Sequence, residues 1–156
     1  MGAILTLEEA GTRCAALRAA GKTVVQSHGV FDLIHPGIVR HLEEARRQGD
    51  ALVVTVAGDR ALDRGPVRPI FPEHLRAENA AALSPVDFVC IVDESAPHVS
   101  LRLLKPDVFA QGQPVTSAER RMHQHLFGGT GAGIDLGATG LYETLAHFRQ
   151  HATSDG

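Results

Sequence analysis

Apolar residues recur at helical spacing from Thr6 to Ala20, with Leu7, Ala10, Cys14 and Leu17 on one face. Thr6 suits an N-cap and Gly21 suits the helix end. Thr23–Gln26 reads as a short β-branched strand and Ser27–His35 as a loop. Pro36 fits the first position of a helix that runs to Gln48 and stops at Gly49-Asp50. Ala51–Val56 (ALVVTV) is nearly all apolar, as a strand buried on both faces of a parallel sheet should be. The alternation continues with a helix over Pro72–Leu83, a strand over Phe88–Val92, a short helix over Pro97–Leu104 and a short strand over Asp107–Ala110. Further helices are expected over Ser117–Phe127 and Leu141–Ala152, with Gly128–Gly133 as a loop between them. Strands alternating with helices predict a three-layer α/β/α fold around a parallel sheet. Ligands in such sheets sit beyond the carboxyl ends of the strands, which singles out the loops after 23–26, 51–56 and 107–110.

With 156 residues the expectation is one domain spanning 1–156. The formal net charge of −3 lacks the basic surplus of a generic nucleic-acid or anionic-membrane binder. With no Trp and one Tyr, stacking platforms for single strands are not expected either. No run of eighteen apolar residues predicts a membrane span, and the acidic N-terminal stretch is unlike a signal peptide. Two cysteines, Cys14 and Cys90, make no disulfide framework, so the chain reads as cytoplasmic. His123-x-His125 and the other histidines match no zinc spacing, so no metal ligands are assigned. G-G-T-G-A-G lacks the G-K-[ST] of a P-loop.

The first strand runs into S-H-G-V-F-D-L-I-H-P-G-I. A helix beginning at Pro36 offers backbone N–H groups and a positive dipole end, which suits a phosphate. Gly29 lets backbone approach a ligand, and Gly37 leaves room over the first turn. His35 stands where its imidazole could donate to a phosphate oxygen. The competing reading is a buried turn whose histidine is a structural hydrogen-bonder.

G-V-F-D-L-I-H-P-G is followed in order by L-E-E-A-R-R-Q-G-D-A-L-V-V-T-V, R-P-I-F-P-E-H-L-R-A, V-D-F-V and L-K-P-D-V-F-A-Q-G. Between Lys22 and Gly112 this series resembles the cytidylyltransferase-like nucleotidyltransferases that carry an HxGH signature. Glycerol-3-phosphate cytidylyltransferase and the adenylyltransferase domain of ADP-heptose synthesis are members of that group. The resemblance implies a Rossmann-like fold and transfer of a nucleotidyl group from CTP or ATP to a phosphorylated small molecule. Pyrophosphate would leave with Mg²⁺ assisting, and a homodimer would be the assembly. By the same resemblance His35 is the first signature histidine, preceded by the loop His28, Gly29, Val30, Phe31 and Asp32. Arg76 would hold the triphosphate with a forked guanidinium, the alternative being a solvated helix charge. Asp59 would orient ribose or a loop, or simply form a turn. Arg68, with Arg64-Gly65-Pro66, would receive an acidic substrate or be a solvated loop. Gln111 and Gly112 fall where the family's loop after the fourth strand meets the nucleotide.

The departures fall on phosphate-facing positions. Ile38 replaces the second signature histidine, and Gln111 replaces an expected lysine. The hydroxyl-rich element near the end is reduced to L-G-A-T-G, with Thr139 its one hydroxyl. Three readings follow. The chain is an active divergent transferase in which His28, Arg40, His41 or Arg68 supplies the missing donors, His41 lying one turn beyond Gly37. Alternatively it is a hydrolase or lyase on a nucleotide-linked compound, or a nucleotide-binding pseudo-enzyme.

Overall fold

The computed structural model describes residues 1–62, 69–95, 97–112, 133–136 and 139–143. In chain order the elements are β1 (Ala3–Leu5), α1 (Leu7–Ala19), β2 (Val24–Gly29), α2 (Pro36–Arg47), β3 (Ala51–Ala57), a 3₁₀ turn (Asp59–Ala61) and α3 (Glu73–Ala81). They continue with β4 (Phe88–Val92), α4 (His98–Leu104), β5 (Val108–Gly112), β6 (Gly133–Leu136) and β7 (Thr139–Glu143). The sheet order is β1-β4-β3-β2-β5-β7-β6. Its first five strands pair in parallel, giving the expected Rossmann-like α/β fold. β7 and β6 extend the sheet in antiparallel fashion.

Every residue of β3 is buried, as its unbroken apolar run requires when both faces are covered. On one face Leu42 and Ala45 of α2 and Ala77, Ala80 and Ala81 of α3 pack on Val25, Leu52, Val54, Val56 and Val89. On the other, Ala10 and Cys14 of α1 and Leu104 of α4 cover Val24, Val53, Cys90 and Val92. Both thiols are free, and burial pushes Cys14 up to about 11 and Cys90 up to about 12. Thr6 caps α1 by accepting from the Glu9 N–H, as expected, and Gly21 takes φ +77 just beyond the helix. Three aspartates pin strand starts: Asp50 accepts from Thr23 N, Asp87 from Leu52 N and Asp107 from Val24 N.

One strand was not foreseen, and two expectations are corrected. β1 has only three residues, so hydrophobic period could not reveal it; its ladder with β4 makes it a strand. β2 runs on to Gly29 where a loop from Ser27 was expected, because His28↔Thr55 and Gly29↔Val56 continue the register. Leu141–Glu143 begins no helix: it pairs with Val108–Ala110 across the β5 edge, satisfying backbone groups that a helix there would leave open. The helices expected over 117–127 and 144–152, and the loop at 128–132, lie outside the described residues.

Candidate functional site

β2 lies between β3 and β5, and the chain proceeds from β2 to β3 on one side and returns through β5 on the other. The strand order therefore reverses at β2/β5, and the crevice beyond their carboxyl ends is where a doubly wound sheet binds ligands. The segment Gly29–Pro36 follows the carboxyl end of β2. At the end of β5, Gly112 pairs with Thr139 and Gln111 with Gly140. Register thus brings together Gln111, Gly112 and Thr139, three residues expected at the site from distant parts of the sequence.

Arg76 is the largest fully buried side chain among the described residues. Its Nε donates to Phe71 O at 2.9 Å, its Nη1 to Val30 O and Ala57 O at 2.7 Å each, and its Nη2 to Asp59 Oδ1 at 2.7 Å. Four of its five N–H donors are spent inside the protein, which leaves one Nη2 N–H for any further partner. Arg76 ties the ends of β2 and β3 to the start of α3. Asp59 exchanges further bonds with Glu73, each carboxylate accepting the other residue's N–H at 3.2 Å. Burial pushes the Asp59 carboxyl up, but the Arg76 and Glu73 hydrogen bonds and the Arg76 charge outweigh it and hold it below its ordinary value. Among the ribose, loop and turn roles expected of Asp59, its bonds to Glu73 and Arg76 fit the orientation of a loop. Asp32 accepts from Ile70 N at 2.8 Å and Phe71 N at 2.9 Å, so its carboxylate also serves the loop.

Phe31 is buried in the core with φ +53, an uncommon conformation for an aromatic residue. A Cβ at Gly29 would lie 3.1 Å from the Phe31 ring. The Phe31 ring thus fills the space that a side chain at Gly29 would take.

His35 is exposed and forms the N-cap of α2, its Nδ1 accepting from Gly37 N at 3.1 Å. A Cβ on Gly37 would stand 2.8 Å from His35 Cε1, so glycine is needed for this cap. Ile38 N and Val39 N both donate to His35 O. The N–H groups expected to cradle a phosphate near Gly37 thus have partners within the first turn of α2. Because Nδ1 accepts, the ring proton sits on Nε2, which becomes the outward donor. Ile38 packs against the core beside Ile34. The second signature position has accordingly joined the hydrophobic core. His35→Ala is expected to cost about 1 kcal/mol of stability through the lost cap, read by urea unfolding, while removing the Nε2 donor.

The two nearby histidines expected as substitute donors are both engaged inward. His28 Nε2 meets Ser95 O at 2.9 Å, so that nitrogen carries the proton and Nδ1 accepts from Thr55 Oγ1 at 2.9 Å. Thr55 Oγ1 in turn accepts from Gln26 Nε2, which also donates to Ser100 Oγ. Burial lowers the His28 pKa, against the opposing pull of the Ser95 carbonyl and Glu94. His41 is 7% exposed, with Nε2 at 3.1 Å from Ser27 Oγ and no partner for Nδ1 among the described residues. Burial lowers its pKa too.

Sequence reasoning missed the partners Gln26, Ser27, Thr55 and Ser100. The placement of His41 was available: Ile38, His41, Leu42 and Ala45 fall on one helical stripe, which puts His41 inward. Arg40 is exposed on α2. Arg68 and the Arg64–Pro66 loop lie outside the described residues. No group of three His, Cys, Asp or Glu side chains stands close enough to hold a metal ion among the described residues. Asp32 and Asp59 already accept from N–H groups, and the described residues form no cage for Mg²⁺. Among the described residues no helix is long and apolar enough to cross a membrane.

Residues 27–130 match the cytidylyltransferase-like family. The bifunctional protein HldE of Gluconobacter oxydans is 41% identical over 117 residues, which is 74% of this chain and 24% of that protein. HldE of Alcanivorax borkumensis is 46% identical over 97 residues, 61% of this chain and 20% of its own length. The chain thus matches no more than about a quarter of these curated relatives. Among solved structures, the lipopolysaccharide core biosynthesis protein from Thermoplasma volcanium superposes with a TM-score of 0.58 at 33% identity, covering 69% of this chain and 90% of that one. Sequence match and strand order agree: the chain belongs to the cytidylyltransferase-like family.

Proposed function

We propose that the chain is a divergent nucleotidyltransferase that moves a nucleotidyl group from ATP or CTP to a sugar or polyol phosphate. An oxygen of the acceptor phosphate bonds to the α-phosphorus, the bond from that phosphorus to the α–β bridging oxygen breaks, and pyrophosphate leaves. The acceptor is already anionic, so the site needs positioning and charge stabilisation rather than a strong base. The observation that carries the reading is His35, exposed at the crevice with Nδ1 pinned by Gly37 and Nε2 left as donor. The HldE relatives and a neighbour described as a lipopolysaccharide core biosynthesis protein support a sugar phosphate as acceptor.

A second reading, nucleotide binding without transfer, is favoured by Ile38. Its side chain packs on the core and offers no donor, and one missing transition-state donor costs about 10²–10³ in rate. A melting screen against the four nucleoside triphosphates and their mono- and diphosphates, with and without Mg²⁺, followed by pyrophosphate release with sugar phosphates, tests the assignment. Stabilisation by one triphosphate together with pyrophosphate release supports transfer. Stabilisation without release supports the second reading, and no shift with any nucleotide overturns both. If the crevice remains a transferase pocket, Ile38→His with Gln111→Lys is expected to raise the pyrophosphate-release rate. No gain with the bound triphosphate would count against transfer.

A further inference from the structure

We propose that Arg76 is a positioning residue, which with Asp32 fixes the backbone leading to His35 instead of touching the nucleotide. The proposal rests on the reading of the crevice as the nucleotide site. Two side chains of opposite charge buckle the same pair of segments. Arg76 takes the carbonyls of Val30 and Phe71, while Asp32 takes the N–H groups of Ile70 and Phe71. Phe71 is held by both its N–H and its carbonyl, and the loop after β2 is held on each side of Phe31.

Phe31 lies between these two anchors in left-handed backbone, at φ +53. A bulky residue persists there only where its surroundings over-determine it, and the two anchors do so. Three residues beyond Asp32, His35 opens α2. The remaining Arg76 bonds, to Ala57 O and Asp59, bring the end of β3 into the same frame. One planar fork therefore sets two strand ends and the start of α3 relative to one another. An ammonium group has three donors and no plane, so lysine cannot reproduce the four contacts.

Arg76→Lys tests the proposal against a control, Asp87→Asn. Asp87 accepts from Leu52 N and pairs with Arg46 at the opposite end of the sheet. Both variants are expected to melt lower than wild type. In amide NMR spectra Arg76→Lys is expected to shift Gly29 to His35, and in calorimetry to weaken ATP or CTP binding about 100-fold. Asp87→Asn should leave those amides in place and affinity within about twofold. Wild-type affinity in Arg76→Lys, or unmoved Gly29–His35 amides, would overturn the proposal. So would an equal loss of affinity in the control, which marks general destabilisation. If the wild-type protein binds neither ATP nor CTP, the nucleotide reading fails, and the amide shifts still decide whether Arg76 sets the loop.

Discussion

Arg76→Met is expected to lower the unfolding free energy by about 3–5 kcal/mol, measured by urea denaturation. Methionine fills much of the volume, so the cost is polar. Exchanging a buried ion pair for apolar residues is often neutral when both partners are exchanged. Here three of the four partners are the carbonyls of Val30, Ala57 and Phe71, which no side-chain substitution removes. A buried carbonyl left without a donor costs about 1–3 kcal/mol, and that decides the sign. Asp59 adds little, because its side chain is 42% exposed and water replaces the guanidinium. Asp59→Asn should therefore cost far less than Arg76→Met. Against a typical domain stability of about 5–15 kcal/mol, the Arg76 loss is large enough to compromise folding at 37 °C. A loss below about 1 kcal/mol would show that water reaches the three carbonyls and that the clamp contributes little.

The scaffold was legible because it is written in local pattern. β3 announces itself as seven buried residues, α2 by Pro36 at its start, and Asp50 and Asp87 sit where strands begin. The site was legible in membership but not in roles. His28, Asp32, His41, Asp59 and Arg76 were all expected at the site, yet each makes side-chain hydrogen bonds within the protein. No sequence period reports this, since the bonds span long separations: 38 and 39 residues from Asp32 to Ile70 and Phe71, and 46 from Arg76 to Val30. A motif arginine reads as a phosphate ligand until the carbonyls around it are known. Ser27-His28-Gly29 hid the end of β2 for a related reason. Polar residues on a buried strand look like a loop until His41 and Thr55 supply partners. The short β1 and the β7 segment owe their structure to ladders with β4 and β5, which hydrophobic pattern does not encode.

Acidification is expected to destabilise the protein from about pH 6.5 downward, through His28 and His41. Burial lowers both pKa values in the folded state, while unfolding restores the ordinary 6.5. Between the folded value and 6.5 the unfolded chain binds more protons, so stability rises with pH there and is fully present above 6.5. As pH falls it is lost, by at most about 1.4 kcal/mol per unit for each histidine and about 2.7 for the pair. The structure says why each resists a proton. Protonated His28 would force Thr55 Oγ1 to accept from Nδ1–H instead of donating to it, although Glu94 and the Ser95 carbonyl soften that loss. Protonated His41 would place an N–H where no acceptor stands among the described residues. Asp59 acts in a lower window: its carboxyl is held below 3.8, so its share of stability is lost only as pH falls through the acid range below that value. Urea midpoints from pH 7.5 to 5 report the upper window alone, clear of Asp59. His28→Gln and His41→Gln should each flatten the upper slope relative to wild type. A wild-type midpoint constant across that range would mean that both rings take up protons without strain, and that neither inward contact is as tight as the geometry indicates.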